Sequence, residues 1–304
     1  MWVTVAIIVV LILLVPWWLE LRRDPMNKKA RQSAPGDFLK LSRGQTHYRW
    51  DGPVNGPVLV AIHGLTTPNY IWNAMIPHLV SKGSRVLRYD LYGRGYSDRP
   101  KGDQDRAFFS EQLNELLNAL NVTDRVGLMG YSMGGAIATA YAADHPDRVR
   151  NVILVAPAGL TFEATNFEAF VARVPIFGDW VMGLLFERRS RRALKTQQDG
   201  EVPGITKQKT RELNFKGYGR SVLASLRGIL LEMMIDDHKK IAEEKIPVLA
   251  VWAEQDDTIP LKGLGYLAQI NRASRNEMIE GADHIMPHTH AKAIIDRLGD
   301  LSRP

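Results

Sequence analysis

Along most of the chain, two kinds of hydrophobic segment follow one another, one longer and one shorter. In the longer segments, at 70–81, 110–120 and 136–143, apolar residues recur about every 3.6 residues, which is typical of helices. Shorter, continuous apolar runs suit strands that are buried on both faces of a sheet. These runs lie at 58–62, 84–89, 125–129, 152–155 and 248–252. Strands that alternate with helices predict an α/β fold with a mostly parallel, doubly wound sheet.

Two stretches depart from this alternation. Residues 38–50 suit an antiparallel strand pair ahead of the parallel sheet, with turns expected at 51–52 or 55–56. Between 160 and 244 the alternation stops, and the segment is rich in Phe, Trp, Leu and Met. It predicts a helical insertion that divides the core into two parts, at 38–159 and 245–304.

The N-terminus carries the longest apolar run. Residues 2–19 hold Thr4 as their only polar side chain, and as a helix they would span about 27 Å, close to the thickness of a hydrocarbon core. No Lys or Arg precedes the run and no small-residue cleavage site follows it closely, which favours a retained transmembrane anchor at 1–21 over a signal peptide. The basic residues of the polar linker at 22–37 predict that the body lies on the cytoplasmic side.

Composition and charge limit the kinds of partner and of chemistry that this chain can have. The net charge is +6, and the basic residues cluster after the apolar run and again within 187–195. This clustering favours an anionic membrane surface over nucleic acid, although a basic run is more often a solvated helix face. The chain has no cysteine, which excludes disulfides, thiolate catalysis and cysteine-ligated zinc.

Residues 130–135 read Gly-Tyr-Ser-Met-Gly-Gly and contain the pattern G-x-S-x-G. They lie between an apolar run and a small-residue helix, and a strand that turns into a helix so abruptly forces Ser132 into a strained backbone conformation. Gly130 and Gly134 leave room for the turn. The hydroxyl is therefore expected above the sheet at a helix N-terminus, where developing negative charge is favoured. A turn that only packs helix on strand is the alternative.

The residues after the run at 58–62 are candidate elements of an oxyanion site. His63, Gly64 and Leu65 follow that run directly. A tight turn would point the Leu65 N–H toward the nucleophile, and the Met133 N–H is the expected second donor. His63 is interpreted as a turn histidine that shapes this loop together with Gly64, rather than as a reacting group.

Two further strand ends supply an acid and a base. Asp256 follows the run at 248–252 and is the preferred acid over Glu254 and Asp257. His284, in a loop before the last helix, is the candidate general base. The order Ser132, Asp256, His284 is the nucleophile, acid, base order of hydrolases with such a turn. A metal cluster of His284 with the later histidines is disfavoured, since paired carboxylates and helical spacing are missing.

With these residues in place, the sequence resembles the α/β-hydrolase superfamily over about residues 45–300. The segments Asp-Leu-Tyr-Gly-Arg-Gly-Tyr-Ser-Asp at 90–98 and His-Pro-Asp-Arg-Val at 145–149 add to the match. The resemblance implies a Ser-His-Asp triad, backbone oxyanion donors and a helical cap at 160–244, with no metal or organic cofactor. Ala253 and Asp283 stand where the family often has glycine, and Asp283 adds a charge beside His284.

The segment at 130–135 also resembles the nucleophile turn of monoacylglycerol lipases. Together with the apolar cap and the anchor, it predicts a membrane-anchored serine hydrolase of lipophilic carboxylic esters such as monoacylglycerols. Carbon–carbon bond hydrolases of aromatic ring-cleavage products, proline-releasing aminopeptidases and a non-enzymatic binding protein on the same fold are the alternatives. Epoxide hydrolases and haloalkane dehalogenases are disfavoured because they need a carboxylate at position 132.

Overall fold

The computed structural model of the chain describes residues 1–299, so the last five residues of the predicted core segment at 245–304 lie outside it. Within the described range, eight strands form a single sheet. The strands are β1 (Asp37–Leu41), β2 (Gly44–Asp51), β3 (Val58–Ile62), β4 (Arg85–Tyr89), β5 (Val126–Tyr131), β6 (Val149–Val155), β7 (Val248–Ala253) and β8 (Arg275–Ile279). Their order across the sheet is β1-β2-β4-β3-β5-β6-β7-β8.

All neighbouring strands from β4 to β8 are parallel, whereas β2 runs antiparallel to both β1 and β4. The prediction of a mostly parallel, doubly wound sheet is therefore confirmed. The helices are α1 (Trp2–Leu21), α2 (Lys28–Arg31), α3 (Ile76–Ser81), α4 (Arg106–Ala119), α5 (Met133–Asp144), α6 (Asn166–Arg173), α7 (Phe177–Leu194), α8 (Ile205–Glu212), α9 (Tyr218–Arg227), α10 (Ile235–Glu243), α11 (Lys262–Ile270), α12 (Met286–Thr289) and α13 (Ala291–Arg297).

The central strands are apolar along their whole length because helices cover both faces of the sheet. In β3, Val60 and Ile62 belong to the apolar cluster on one face, while Leu59 and Ala61 belong to the cluster on the other. The same alternation continues in β5 and β6. Such strands read as continuous apolar runs, which is why their positions could be predicted.

Two local predictions differ from the structure, and one strand was not predicted. The antiparallel pair forms, but its turn lies at 42–43, because Leu41 pairs with Gly44, and not at 51–52 or 55–56. The helix predicted at 70–81 is divided into a 3₁₀ turn, Asn69–Trp72, and α3. Pro77 explains the division, since proline is tolerated in the first turn of a helix but not in its interior. Strand β8 is half-exposed, so it shows no apolar run.

Helices α6 to α10 lie between β6 and β7, within the segment predicted as an insertion. We refer to residues 160–244 as the cap segment. Helix α1 contacts α7 of this segment: Trp180 donates a hydrogen bond through Nε1 to the carbonyl of Ile12 at 3.3 Å. A Cβ atom built on Gly183 would lie 2.8 Å from Cβ of Pro16, so the two helices approach closely there.

Helix α1 is long and apolar enough to cross a membrane, although signal sequences share that length and composition. Most of its side chains are exposed. The polar segment after it lies against the body instead of extending from it. Arg31 pairs with the carboxylate of Asp98 and donates to the carbonyl of Tyr96, and the Asp24 N–H donates to the carbonyl of Asn214.

Candidate active site

The turn between β5 and α5 holds Ser132 in a conformation that few side chains adopt. Its φ is 53° and its ψ is −120°, which is a strained combination for a residue with a Cβ atom. Glycine is required on both sides: a Cβ on Gly130 would overlap the carbonyl of Gly134, and a Cβ on Gly134 would overlap the carbonyl of Ile62. The glycine pattern of the sequence thus reflects the close approach of β3, β5 and α5.

The structure brings Ser132, His284 and Asp256 together from three separate strand ends. Ser132 Oγ lies 3.0 Å from Nε2 of His284, and Nδ1 of His284 lies 2.8 Å from Oδ2 of Asp256. The other carboxylate oxygen of Asp256 accepts the N–H groups of Thr258 and Ile259 at 2.8 and 2.7 Å. A carboxylate facing Nδ1 favours the tautomer with its proton there, which leaves Nε2 free to accept the hydroxyl proton.

Asp256 is buried more deeply than His284 and than the other acids of its loop. The side chain of Asp256 is 1% exposed and that of His284 is 21% exposed. Of the three acids considered in this loop, Asp256 is the one that contacts His284. Glu254 and Asp257 are exposed, and Glu254 accepts a hydrogen bond from the N–H of Gly281 at 2.8 Å.

Two hydrogen bonds to the backbone fix the loop that carries His284. Tyr131, the last residue of β5, donates its hydroxyl to the carbonyl of His284 at 2.9 Å, and the two rings lie 5.3 Å apart. Asp283, which stands where glycine was expected, is exposed and accepts the N–H of Ile285 at 3.1 Å. Its carboxylate therefore stabilises the turn that presents His284.

His63 connects the loop after β3 to the loop after β4. Its Nδ1 lies 2.7 Å from the carbonyl oxygen of Gly64, and its Nε2 accepts the N–H of Leu91 at 2.9 Å. Burial lowers the pKa of His63 to about 4, so the ring is neutral at physiological pH and donates through Nδ1. Leu65 follows directly and lines the cavity in front of Ser132. Met133 begins α5 and has its side chain buried in the core.

Arg94 was not singled out from the sequence, although it is fully buried and connects this loop to the cap segment. Its Nε donates to the carbonyl of Leu65 at 3.0 Å, and one terminal nitrogen donates to the hydroxyl of Ser225 in α9 at 2.7 Å. Burial lowers its pKa to about 10, which still leaves the guanidinium charged at neutral pH. Its place between two glycines in 90–98 was the available signal, but the sequence does not indicate its partners.

A cavity of about 290 Å³ lies in front of Ser132 and is bounded by both the core and the cap segment. The core side contributes Leu65, Thr66, Thr67, Tyr131, Ser132, Thr258, His284 and Ile285. The cap side contributes Phe162, Glu168, Ser190, Ala193, Leu194, Gln197, Lys209, Leu213, Tyr218 and Leu230. Of the aromatic residues predicted for the cap, Phe162 faces this cavity, whereas Phe177 is exposed and stacks on Trp180.

The later histidines are separate from this site. His288 lies in α12 and is fully buried, and its burial, followed by the charge of Lys209, lowers its pKa to about 3. His290 precedes α13. Within residues 1–299, no group of three or more His, Asp or Glu side chains is arranged to hold a metal ion.

Chemically, the Ser132–His284–Asp256 arrangement can move a proton from a hydroxyl to an imidazole while the oxygen attacks an electrophilic carbon. Comparison with known proteins supports hydrolytic chemistry. The family model described as "alpha/beta hydrolase fold" matches residues 57–193. A Mycobacterium tuberculosis protein is 27% identical over 270 residues, which cover 82% of this chain and 77% of the relative.

Two further similarities are to proteins whose activity is named. The monoacylglycerol lipase ABHD6 of Rattus norvegicus is 24% identical over 280 residues, covering 83% of this chain and 78% of the lipase. The crystal structure of the enol-lactonase from Burkholderia xenovorans is 23% identical, covers 87% of this chain and 98% of its own, and has a TM-score of 0.72. At that identity the structural similarity shows the fold.

Proposed function

The chain belongs to the α/β-hydrolase superfamily and is a hydrolase of this fold, and we propose that it is a serine hydrolase of lipophilic carboxylic esters such as monoacylglycerols. The observation that carries the proposal is the chain of two hydrogen bonds from Ser132 Oγ through His284 to Asp256, at the wall of a cavity large enough for a substrate. A non-enzymatic binding protein would not require these three groups to meet.

In the proposed reaction, Ser132 Oγ attacks the ester carbonyl carbon while Nε2 of His284 takes the hydroxyl proton. Asp256 holds the ring and stabilises the imidazolium. The N–H groups of Leu65 and Met133 would bind the tetrahedral oxyanion, and His284 would then give its proton to the departing alcohol. Water, deprotonated by His284, attacks the acyl-enzyme and releases the acid with restoration of Ser132.

Three observations support an acyl substrate. Half of the cap-side residues that line the cavity are leucine, alanine or phenylalanine, and apolar walls suit acyl chains. One similar protein is named a monoacylglycerol lipase. Helix α7 contacts both the end of α1 and the cavity: Glu187 pairs at 3.1 Å with Arg23, which follows α1, and Ser190, one turn later, lines the cavity. An α1 embedded in lipid would therefore bring the cavity close to the bilayer.

We further propose that α1 is a membrane anchor, with the body on the cytoplasmic side, and that exposed arginines of α7 contact anionic headgroups. Fractionation tests the anchor: the full chain is expected in the membrane fraction after carbonate washing, and a variant without residues 2–21 in the soluble fraction. Recovery of the full chain as washed-off soluble protein would remove the anchor from the proposal. Accessibility of an N-terminal tag to protease in sealed vesicles tests the orientation.

A fluorophosphonate probe tests the nucleophile. The wild-type chain and the variant Ser190→Ala are expected to be labelled, whereas Ser132→Ala is not. Ser190 is the matched control because it is a second serine of the same cavity wall. Labelling that persists in Ser132→Ala would contradict the proposal.

A substrate panel then separates reaction classes. It contains p-nitrophenyl esters of increasing chain length, a monoacylglycerol and an aromatic ring-cleavage product. Hydrolysis that favours the longer esters and the monoacylglycerol is expected. Turnover of the ring-cleavage product alone would instead assign the chain to the carbon–carbon bond hydrolases.

A further inference from the structure

Helix α8 buries two charged side chains on the face where an amphipathic helix ordinarily buries apolar ones. Ile205, Lys209 and Glu212 form its inner stripe, with the spacing of one helical face, and all three are buried. Lysine and glutamate are almost never fully buried unless they are paired. Burying an unpaired charge costs several kcal/mol, by order of magnitude, so each of the two needs a physical explanation.

Glu212 is explained by its neighbours. Its carboxylate accepts the N–H of Gly95 at 2.8 Å and a guanidinium N–H of Arg99 at 3.3 Å. Burial raises the pKa of Glu212 to about 7, and its partners are provided by the loop after β4. The residue therefore contributes to the contact between the cap segment and the core, and no ligand is needed to account for it.

Lys209 has no such explanation. Its side chain is buried, with 7% of the residue exposed, and the structure gives its ammonium one hydrogen bond, to Oε1 of Gln197 at 3.2 Å. Among residues 1–299, no carboxylate oxygen lies within ion-pair distance of it. An ammonium has three donors, so the protein satisfies this cation incompletely.

The nearby acids are already engaged elsewhere. The charges of two acids, Asp199 and Asp283, act on Lys209. Asp199 accepts the N–H groups of Gly204 and Thr206 at 2.7 and 2.9 Å, and Asp283 accepts the N–H of Ile285 at 3.1 Å. Glu168, the acid of the cavity wall, accepts the N–H and hydroxyl of Thr165 at the start of α6. Lys209 and Gln197 both line the cavity that contains Ser132. The incompletely satisfied cation thus faces the space that a substrate would occupy.

We infer that Lys209 and Gln197 form an anion subsite in this cavity, which selects esters that carry a carboxylate or phosphate group. The inference rests on the proposed ester hydrolysis. An anionic oxygen would complete the hydrogen bonds of the ammonium and neutralise its charge, and such charge-assisted bonds are about twice as strong as neutral ones. A purely structural role does not account for the lysine, since methionine would fill the same volume without the cost of a buried charge.

Two matched substrate pairs test the subsite and distinguish carboxylate from phosphate. The first pair is 4-nitrophenyl hydrogen adipate and methyl 4-nitrophenyl adipate, which differ by one charge and one methyl group. The second is 1-decanoylglycerol 3-phosphate and 1-decanoylglycerol. The wild-type chain is expected to show at least a tenfold higher kcat/KM for the anionic member of one pair. The pair that shows it identifies the anion.

Three variants locate the effect. Lys209→Met is expected to lower the anionic-to-neutral ratio of kcat/KM at least tenfold, and Lys209→Arg to keep it within threefold. Lys207→Met is the matched control, because Lys207 lies one half-turn earlier on α8 and is exposed. It is expected to leave the ratio unchanged. A wild-type ratio of one or less in both pairs, or a ratio that survives Lys209→Met, would overturn the inference.

A second measurement needs no variant. Free adipate is expected to inhibit wild-type hydrolysis of the neutral ester with an inhibition constant at least fivefold lower than that of 1,6-hexanediol, and equal constants would count against the subsite. The same assays give a different result if the proposed ester hydrolysis itself is wrong. If neither member of a pair is hydrolysed in a Ser132-dependent way, the ester hydrolase proposal fails, whereas hydrolysis without a charge preference removes only the anion subsite.

Discussion

The cavity in front of Ser132 has two walls whose polar groups are satisfied to different degrees. On the core wall, the protein itself supplies the partners: the ring nitrogens of His284 contact Asp256 and Ser132, and the hydroxyl of Tyr131 donates to the carbonyl of His284. On the cap wall, Lys209 has a single neutral partner. A site that is complete without ligand suits a reaction that is the same for every substrate, whereas an incomplete one suits selection among substrates.

This contrast predicts where substitutions act. Changes on the core wall should reduce turnover of all esters alike, because they disturb groups that the proposed mechanism uses in every catalytic cycle. Changes on the cap wall should alter the choice of substrate or the stability of the fold. Arg94 lies between the two, since it contacts Leu65 on one wall and α9 on the other.

The largest expected effect is that of Ser132→Ala. Removal of the proposed nucleophile is expected to lower kcat for p-nitrophenyl butyrate by at least about 10⁴-fold, because the remaining groups cannot form an acyl-enzyme. Circular dichroism should show an unchanged fold, because the hydroxyl supports no secondary structure. Residual activity within tenfold of wild type would show that another group performs the reaction.

Asp256→Asn is expected to lower kcat by roughly 10³–10⁴-fold. An amide nitrogen facing Nδ1 of His284 would donate where the carboxylate accepts, and would favour the tautomer whose Nε2 cannot take the Ser132 proton. Asp257→Asn is the matched control, since Asp257 is the exposed neighbour and its loss is expected to change kcat less than threefold. Equal losses in the two variants would contradict the assignment of Asp256.

Arg94→Met is expected to lower kcat about tenfold while KM changes less, because Leu65 loses the donor that fixes its carbonyl and the proposed oxyanion N–H becomes less well oriented. Arg94→Lys keeps the charge and should recover part of kcat. Thermal unfolding measured in parallel separates this effect from destabilisation, which is also expected because buried acceptors lose their donor. A rise in KM with unchanged kcat would contradict a positioning role for Arg94.

The predictability of the two walls differs for a physical reason. Ser132 and Asp256 follow apolar runs that predict parallel strands, and parallel strands bring their carboxyl ends to one edge of the sheet however the intervening chain is arranged. His284 follows β8, which has no apolar run, so its place in a loop before the last helix was the signal for it. The prediction of the fold was accordingly correct, apart from the half-exposed β8, the divided helix at 70–81 and the turn at 42–43. The exposed Glu254 and Asp257 also show that burial, which a sequence does not display, distinguishes Asp256 from its neighbours.

Arg94 and Lys209 depend on contacts that no local pattern encodes. Ser225, the partner of Arg94, is 131 residues away in the chain. The segment that contains Lys209 reads Ile-Thr-Lys-Gln-Lys-Thr-Arg-Glu, in which a buried lysine and an exposed one are two residues apart. Which lysine points inward depends on the phase of the helix against the core, and that phase is set by tertiary packing.

The smallest expected effect concerns the pH dependence of stability. Burial lowers the pKa of Lys209 to about 8, whereas a lysine in the unfolded chain titrates near 10.4. Between these values the unfolded chain binds more protons than the folded one, so the free energy of unfolding rises with pH, by at most about 1.4 kcal/mol per pH unit. Asp199 and Asp283 oppose this lowering of the pKa, and buried His288, with its pKa of about 3, stays neutral.

Urea unfolding at pH 7.5 and 9.5 measures this contribution by difference between the wild-type chain and Lys209→Met. The variant is expected to be the more stable of the two at pH 7.5, because it has no unpaired charge to bury, and its advantage should shrink at pH 9.5. Both proteins carry the same buried tyrosines, so the ionisation of tyrosine near pH 10 cancels in this difference. An advantage that is the same at both pH values would show that Lys209 is already satisfied in the folded protein, and the contrast between the two walls would then lose its energetic basis.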